Sequence, residues 1–259
     1  MRLIKAAVNS YLWIGFGAVA SYFYTCSLDS ELEFNTYIGL FLWASTTCLY
    51  NLLGSFKRKT SVLKHLLLSL TALIAGISFF RFAEIRDLLY LAPSVIVGFF
   101  YGFKGGLRLV PYLKVFLIAC IWVYTTSVVP QSICSVTLDR SDLILVFAQF
   151  FFLLGITIPF DVRDIQYDSP HMRTFPQVFG VKQSIYISGI CVMLSGVIIS
   201  LLSYEITMNK GFWAVLIWVP ISLLAVLKTT SSRHNLYFTF ILDGLLILQG
   251  LAALIIYQI

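Results

Sequence analysis

Pro159-Phe160-Asp161-Val162-Arg163-Asp164-Ile165-Gln166-Tyr167-Asp168-Ser169-Pro170 ends a long apolar run and carries three carboxylates. If residues 161–168 are helical, offsets of three, four and seven place Asp161, Asp164 and Asp168 on one face. Like charges stacked this way cost about 0.2–0.5 kcal/mol per pair unless a cation sits among them. Hard divalent cations take carboxylate oxygens, and Mg²⁺ is commonly held by one or two carboxylates together with the oxygens of a phosphate. Two readings of the stretch follow: a Mg²⁺–diphosphate site, or a solvated acidic cap on a membrane helix. Pro159 can kink the preceding run, and Pro170 is expected to stop the acidic helix just after Asp168.

The apolar run before Pro159 is one of many. Hydrophobic residues make up 59% of the 259 positions and charged residues 12%, with a mean hydropathy of +0.89. Soluble chains carry about a quarter charged residues, so the composition is that of a membrane protein. A span needs about 20 mainly apolar residues. Windows at 6–26, 35–53, 62–80, 88–103, 112–130, 143–160, 184–203, 212–227 and 236–257 meet or approach that length. The expectation is an all-α membrane protein: a nine-transmembrane-helix bundle forming one domain over 1–259, with its active site inside the bundle. The first window follows Arg2 and Lys5 but is too long for a signal-peptide core and lacks a small-x-small cleavage pattern, so it reads as an anchor.

Alternating the connections between two sides segregates the charges. One side collects Arg2, Lys5, Lys57, Arg58, Lys59, Lys64, Lys104, Arg108, Lys114, Arg163, Arg173, Lys182, Lys228 and Arg233, against Arg81, Arg86, Arg140 and Lys210 on the other. By the positive-inside rule the first side is cytoplasmic. Most acids lie outside; Asp161, Asp164 and Asp168 are exceptions on the basic side, which favours a specific role for them. The net charge of +6 is accounted for by topology and by anionic lipid or a polyanionic headgroup, without nucleic acid. Five scattered cysteines show no C-x-x-C spacing, and His65, His171 and His234 form no zinc-ligand set.

Two further inner loops lie on the same side as the acids. Tyr50-Asn51-Leu52-Leu53-Gly54-Ser55-Phe56-Lys57-Arg58-Lys59 places an amide before three cations. The cations are either topogenic or face a diphosphate, with Asn51 able to ligate metal or hydrogen-bond an oxygen. Tyr101-Gly102-Phe103-Lys104-Gly105-Gly106-Leu107-Arg108 continues to Lys114. Gly105 and Gly106 allow a tight turn, and Lys104, Arg108 and Lys114 can gather on phosphate oxygens as charge-assisted donors. Asp243, inside the last window, is an intramembrane carboxylate that either contacts the cavity or pairs with a neighbouring hydroxyl or amide.

These motifs resemble those of the UbiA-type intramembrane prenyltransferases. Asp161-x-Arg163-Asp164-x3-Asp168 is similar to that family's second aspartate-rich motif, Arg173-Thr174-x-Pro176-x3-Gly180 to its continuation, and Tyr101 with Lys104 and Arg108 to its tyrosine–basic motif. The first motif departs: Asn51 stands where expected, but Ser55 and Lys59 occupy the two aspartate positions. The resemblance implies a central cavity opening near the cytoplasmic face of a plasma (inner) membrane protein. It also implies Mg²⁺ as cofactor and Mg²⁺-assisted transfer of an allylic prenyl group from a prenyl diphosphate to a lipophilic acceptor, aromatic or a quinone precursor. It casts Asp164 and Asp168 as Mg²⁺ ligands with Asp161 in support. Asn51, Lys104, Arg108, Arg163 and Lys59 become diphosphate partners. The altered first motif keeps open an impaired protein that binds a prenyl lipid or its diphosphate without turnover. A transporter would show intramembrane charges in matched halves, and a CDP-alcohol phosphotransferase an Asp-Gly-x2-Ala-Arg signature; neither pattern is present.

Overall fold

In lipid, an apolar segment satisfies its backbone either by closing every hydrogen bond within a helix or by joining a closed barrel. The computed structural model describes residues 2–29, 31–55, 62–102, 106–205 and 210–258, and among them every regular element is helical. A short α1 (Arg2–Asn9) leads into α2 (Leu12–Leu28), α3 (Thr36–Ser55), α4 (Val62–Phe82) and α5 (Leu88–Gly102). Then α6 (Leu113–Val123) passes through a π turn at Tyr124–Val128 into α7 (Val129–Ile133), followed by α8 (Arg140–Asp164), the short α9 (Phe175–Phe179) and α10 (Val181–Glu205). After α11 (Lys210–Leu227), a second π turn at Tyr237–Leu242 opens α12 (Asp243–Gln258).

Among the described residues the apolar windows are helical, the first divided between α1 and α2 and those at 112–130 and 236–257 running through the π turns. Val62–Phe82, Leu113–Ile133, Arg140–Asp164, Val181–Ser203 and Tyr237–Ile256 are long and apolar enough to cross a bilayer, while Leu12–Leu28 and Gly211–Leu227 are shorter apolar helices. The chain is an integral membrane protein. The exposed surface agrees: Leu63, Leu66, Leu70, Leu73, Ile77 and Phe80 stand exposed at helical spacing along α4, an apolar face of the kind that marks contact with lipid or a partner.

The window at 6–26 is not one helix. Ser10 Oγ donates to the carbonyls of Ala6 and Ala7 at 2.8 and 3.1 Å, a local bond that competes with helix continuation. Tyr11 then turns left-handed with φ 58°, so the apolar helix starts at Leu12.

The element that carries the aspartates, α8, is defined at both ends. Asp139 caps it by accepting from the Asp142 backbone N–H at 2.9 Å while the Asp142 carboxylate accepts from the Asp139 N–H at 3.0 Å, a reciprocal box. Pro159 lies inside the helix and cannot donate to the Gly155 carbonyl four residues earlier. That carbonyl instead accepts from Ser188 Oγ of α10. Gly155 also lets the two helices close: a Cβ there would stand 2.8 Å from Val192 Cγ2 and 2.9 Å from the Ser188 carbonyl. Small residues at such crossings are how membrane helices gain packing where burial against lipid offers little. Gly250 of α12 repeats the device against Ala20 of α2, where a Cβ would stand 2.7 Å from the Ala20 carbonyl.

Between these contacts runs a core of buried side chains from α2, α6, α8, α10, α11 and α12, including Tyr24, Phe152 and Trp218. Trp218 Nε1 donates to Tyr24 Oη at 3.2 Å, and its ring meets Phe152 at 4.8 Å. Hydroxyl pairs tie α2 to the π turn that follows α6: Ser21 to Thr126 at 3.2 Å and Thr25 to Ser127 at 2.9 Å.

Candidate functional site

The acidic stretch is helical only to Asp164, where α8 ends. This corrects the expected continuation to Asp168. The three-residue gap is bridged by a turn: the Asp164 carbonyl accepts from the backbone N–H groups of both Tyr167 and Asp168, at 2.8 and 2.9 Å. The second of these spans the same four residues as a helical bond, so Asp168 returns to the face that an unbroken helix would have given it. Gln177 of α9 holds the turn closed. Its Nε2 donates to the carbonyls of Asp168 and Ser169 at 3.1 and 3.2 Å, while its Oε1 accepts from the Thr174 N–H at 3.0 Å. Gln177 lies within the Arg173–Gly180 continuation quoted from the sequence, and its role there is to position Asp168.

The cation that the stacked carboxylates call for is supplied by the chain. Lys114, in the first turn of α6, places Nζ 2.6 Å from Asp168 Oδ2, 2.8 Å from Asp161 Oδ1 and 3.7 Å from Asp164 Oδ2. The contact with Asp168 has hydrogen-bond geometry; that with Asp161 is close but off-axis, an ion pair whose oxygen has no aligned donor. Lys114, Asp161 and Asp168 are buried, with 6%, 1% and 8% of their surface exposed, so these charges are stabilised by one another rather than by water. Lys114 was expected among the loop cations. The structure moves it into the carboxylate centre because Tyr112 turns left-handed with φ 63° and donates its N–H to the Met172 carbonyl at 3.1 Å. That bond fastens the start of α6 to the loop beyond Asp168. The sequence carries a signal for this: Lys114 is the one charged residue in the apolar window at 112–130.

Arg163 is the second cation on Asp164. Its Nε and Nη2 grip the two carboxylate oxygens at 2.7 and 3.0 Å, and its Nη1 donates to Asn235 Oδ1 at 3.1 Å. The guanidinium also lies over the rings of Phe160 and Phe238, at 5.0 and 5.5 Å. Fork geometry and ring stacking are both beyond a lysine. Asn235, just before the second π turn, has no motif to announce it in the sequence.

Asn51 of α3 is buried at 4% exposure. Its Nδ2 donates to the carbonyls of Ser10 and Thr47 at 2.8 and 2.9 Å, which points the amide across the break between α1 and α2. Its Oδ1 is buried with no hydrogen-bond partner among the described residues, a costly acceptor to leave empty. Lys57, Arg58, Lys59 and Lys104 lie outside the described residues, as do the side chains of Ser55 and Arg108. Asp243 opens α12 directly after the π turn, where Trp13 Nε1 donates to the Phe240 carbonyl at 3.0 Å.

Carboxylates are the hard oxygen donors that Mg²⁺ takes, so the residue types fit the ion. Among the described residues no three His, Cys, Asp or Glu side chains stand ready to hold a metal; an ammonium occupies the centre of the triad. Two apolar hollows of about 540 and 300 Å³ are lined, respectively, by residues of α5, α6 and α8 with the neighbouring π turn, and by residues of α2 and α12 with Phe34. Neither is lined by the triad.

No family model matches the sequence, and no curated relative matches it significantly. Solved structures do. A UbiA homologue from Archaeoglobus fulgidus bound to Cd²⁺ superposes with a TM-score of 0.63 at 14% identity, over 95% of this chain and 97% of that one. A UbiA homologue from Archaeoglobus fulgidus bound to GPP and Mg²⁺ gives a TM-score of 0.63 at 12% identity, over 99% of both chains. A further UbiA homologue structure from Archaeoglobus fulgidus gives 0.58 at 13% identity, over 97% of this chain and 98% of that one. At these identities the likeness is one of fold, and over nearly its whole length this chain has the UbiA-type fold.

Proposed function

We propose that the chain is a single-domain intramembrane prenyltransferase, its nine apolar windows each crossing the bilayer and its aspartate end facing the cytoplasm. It takes an allylic prenyl diphosphate and transfers the prenyl group to a lipophilic acceptor. The observation that carries this reading is the gathering of Asp161, Asp164 and Asp168 around one cationic centre at the end of α8. The fold it sits in matches that of a homologue whose structure holds GPP and Mg²⁺.

In this reading Asp164 and Asp168 would hold Mg²⁺, with Asp161 in support. Bound there, the ion would neutralise negative charge growing on the departing diphosphate, an electrostatic contribution that reaches several kcal/mol in comparable sites. The chain's own groups do the remaining work. Arg163 orients Asp164 through its two-point grip, and Gln177 sets the turn that presents Asp168. Lys104, Arg108 and Lys59 are assigned to the diphosphate oxygens, together with Arg163; Asn51, whose two amide hydrogens go to the Ser10 and Thr47 carbonyls, has its acceptor Oδ1 left to meet a cation carried by the diphosphate. The apolar bundle keeps water from the carbocation left when diphosphate departs.

A second reading has its own support. Ser55 and Lys59 stand at the two aspartate positions of the first motif, and Lys114 already neutralises part of the second. A protein so altered would bind a prenyl diphosphate without ionising it. The deciding experiment is release of inorganic diphosphate from allylic prenyl diphosphates by the purified protein, with and without Mg²⁺, beside Asp164→Asn. Mg²⁺-dependent release lost in the variant supports transfer chemistry. Saturable binding with no release supports the binding protein, and an absence of both refutes the two together.

A further inference from the structure

Lys114 is an unusual residue to find where it is. An ammonium in an apolar helix is costly to bury and is retained where it has a function or a partner. Lys114 has three carboxylates, two of them almost fully buried. Its Nζ stands at hydrogen-bond distance from oxygens of Asp161 and Asp168 and within 3.7 Å of Asp164. A divalent ion would need those same oxygens at about 2.0–2.1 Å for Mg²⁺, which puts the ion and the ammonium within a few ångströms of each other. Two cations so close, in a site this dry, repel strongly.

We propose that Lys114 is a resident counter-cation of the carboxylate triad and keeps a bare divalent ion out of it. The free protein closes its acidic centre with its own ammonium. The anionic oxygens of a diphosphate would give the ammonium a second place to bond, and only then would Asp161, Asp164 and Asp168 be open to a divalent ion. Lys114 is a positioning residue in this account: it sets which cation the acids hold and when. The inference rests on the reading that Asp161, Asp164 and Asp168 take a divalent ion.

The structure explains why the ammonium stays in place. Its helix start is fastened to the loop beyond Asp168 by the Tyr112 N–H to Met172 carbonyl bond, and Phe116, one turn along α6, packs against Phe175 of α9 at 5.8 Å. A lysine retained only as a folding counter-ion would show the same contacts. What separates the two roles is the affinity of the triad for metal in the absence of any diphosphate.

The test is Mn²⁺ binding to the full-length protein in detergent at pH 8, followed by electron paramagnetic resonance of the free ion, for the wild type, Lys114→Met and Lys114→Arg. Lys114→Met should bind Mn²⁺ at least tenfold more tightly than the wild type. Lys114→Arg, which keeps the charge, should stay near the wild type. Adding Asp164→Asn to Lys114→Met should remove the gain. Should Lys114→Met not fold, Lys114→Gln carries the same expectation with a polar side chain. Equal or weaker Mn²⁺ binding by the uncharged variant overturns the proposal, and so does an absence of binding in all of them. Wild-type binding that Asp164→Asn abolishes but loss of the ammonium leaves unchanged would refute the role of Lys114 while leaving the metal reading standing. A gain in Lys114→Met that survives Asp164→Asn would place the ion elsewhere and overturn both.

Discussion

Replacing Gly155 with alanine should force α8 away from α10 and destabilise the fold. An ideal Cβ at Gly155 meets Val192 Cγ2 at 2.8 Å, the Ser188 carbonyl at 2.9 Å and the Val192 backbone nitrogen at 3.1 Å, where ordinary contact begins at 3.4 Å. Val192 can rotate its side chain, but the Ser188 carbonyl and the Val192 nitrogen are backbone, so α10 itself must retreat by about half an ångström. Overpacking of this kind costs about 1–3 kcal/mol. The Ser188 hydroxyl bond to the Gly155 carbonyl would stretch as the helices part, at a further cost of about 1 kcal/mol. Alanine returns about 1 kcal/mol through its better helix propensity, leaving a net loss of about 1–3 kcal/mol. Gly76 of α4 is the internal control. A Cβ there meets nothing within 4 Å, so Gly76→Ala should be neutral or stabilising by up to about 1 kcal/mol. Folded fraction measured during titration with sodium dodecyl sulfate in mixed micelles would rank the two. If Gly155→Ala proved as stable as Gly76→Ala, the close α8–α10 crossing that positions the aspartates would be wrong.

Arg163→Lys keeps a positive charge but loses the two-point grip on Asp164 and the stacking on Phe160 and Phe238; it should lower stability by about 1 kcal/mol, and an unchanged thermal midpoint would contradict the fork geometry. If Lys59 faces the diphosphate, Lys59→Ala should weaken binding of a prenyl diphosphate more than that of the corresponding prenyl alcohol, whereas equal effects would make it topogenic. A tag near Lys59 should be protected in sealed right-side-out vesicles; ready labelling from outside would reverse the assigned orientation.

The membrane class and the positions of the long helices were legible in the chain because both follow from composition and apolar run length, which need no partner. The carboxylate face was legible too, since an offset of three, four and seven residues is a local property of the helix. Its detail was not: α8 stops at Asp164, and Asp168 reaches the same face through a turn held by Gln177. The sequence pattern called for a cation among the acids, and it left open which one. A divalent ion was one answer; the structure supplies Lys114, 54 positions before Asp168 in the chain. Arg163 meets Asn235 across 72 positions, and Ser188 meets the carbonyl that Pro159 leaves free. Periodicity states which way a side chain points from its own helix axis, and the chain's local chemistry carries that information. Which neighbour it then meets depends on how closely and at what angle the helices cross. That is set jointly by small residues such as Gly155 and Gly250 and by the side chains packed around them, so the pairing exists only once the whole bundle is assembled.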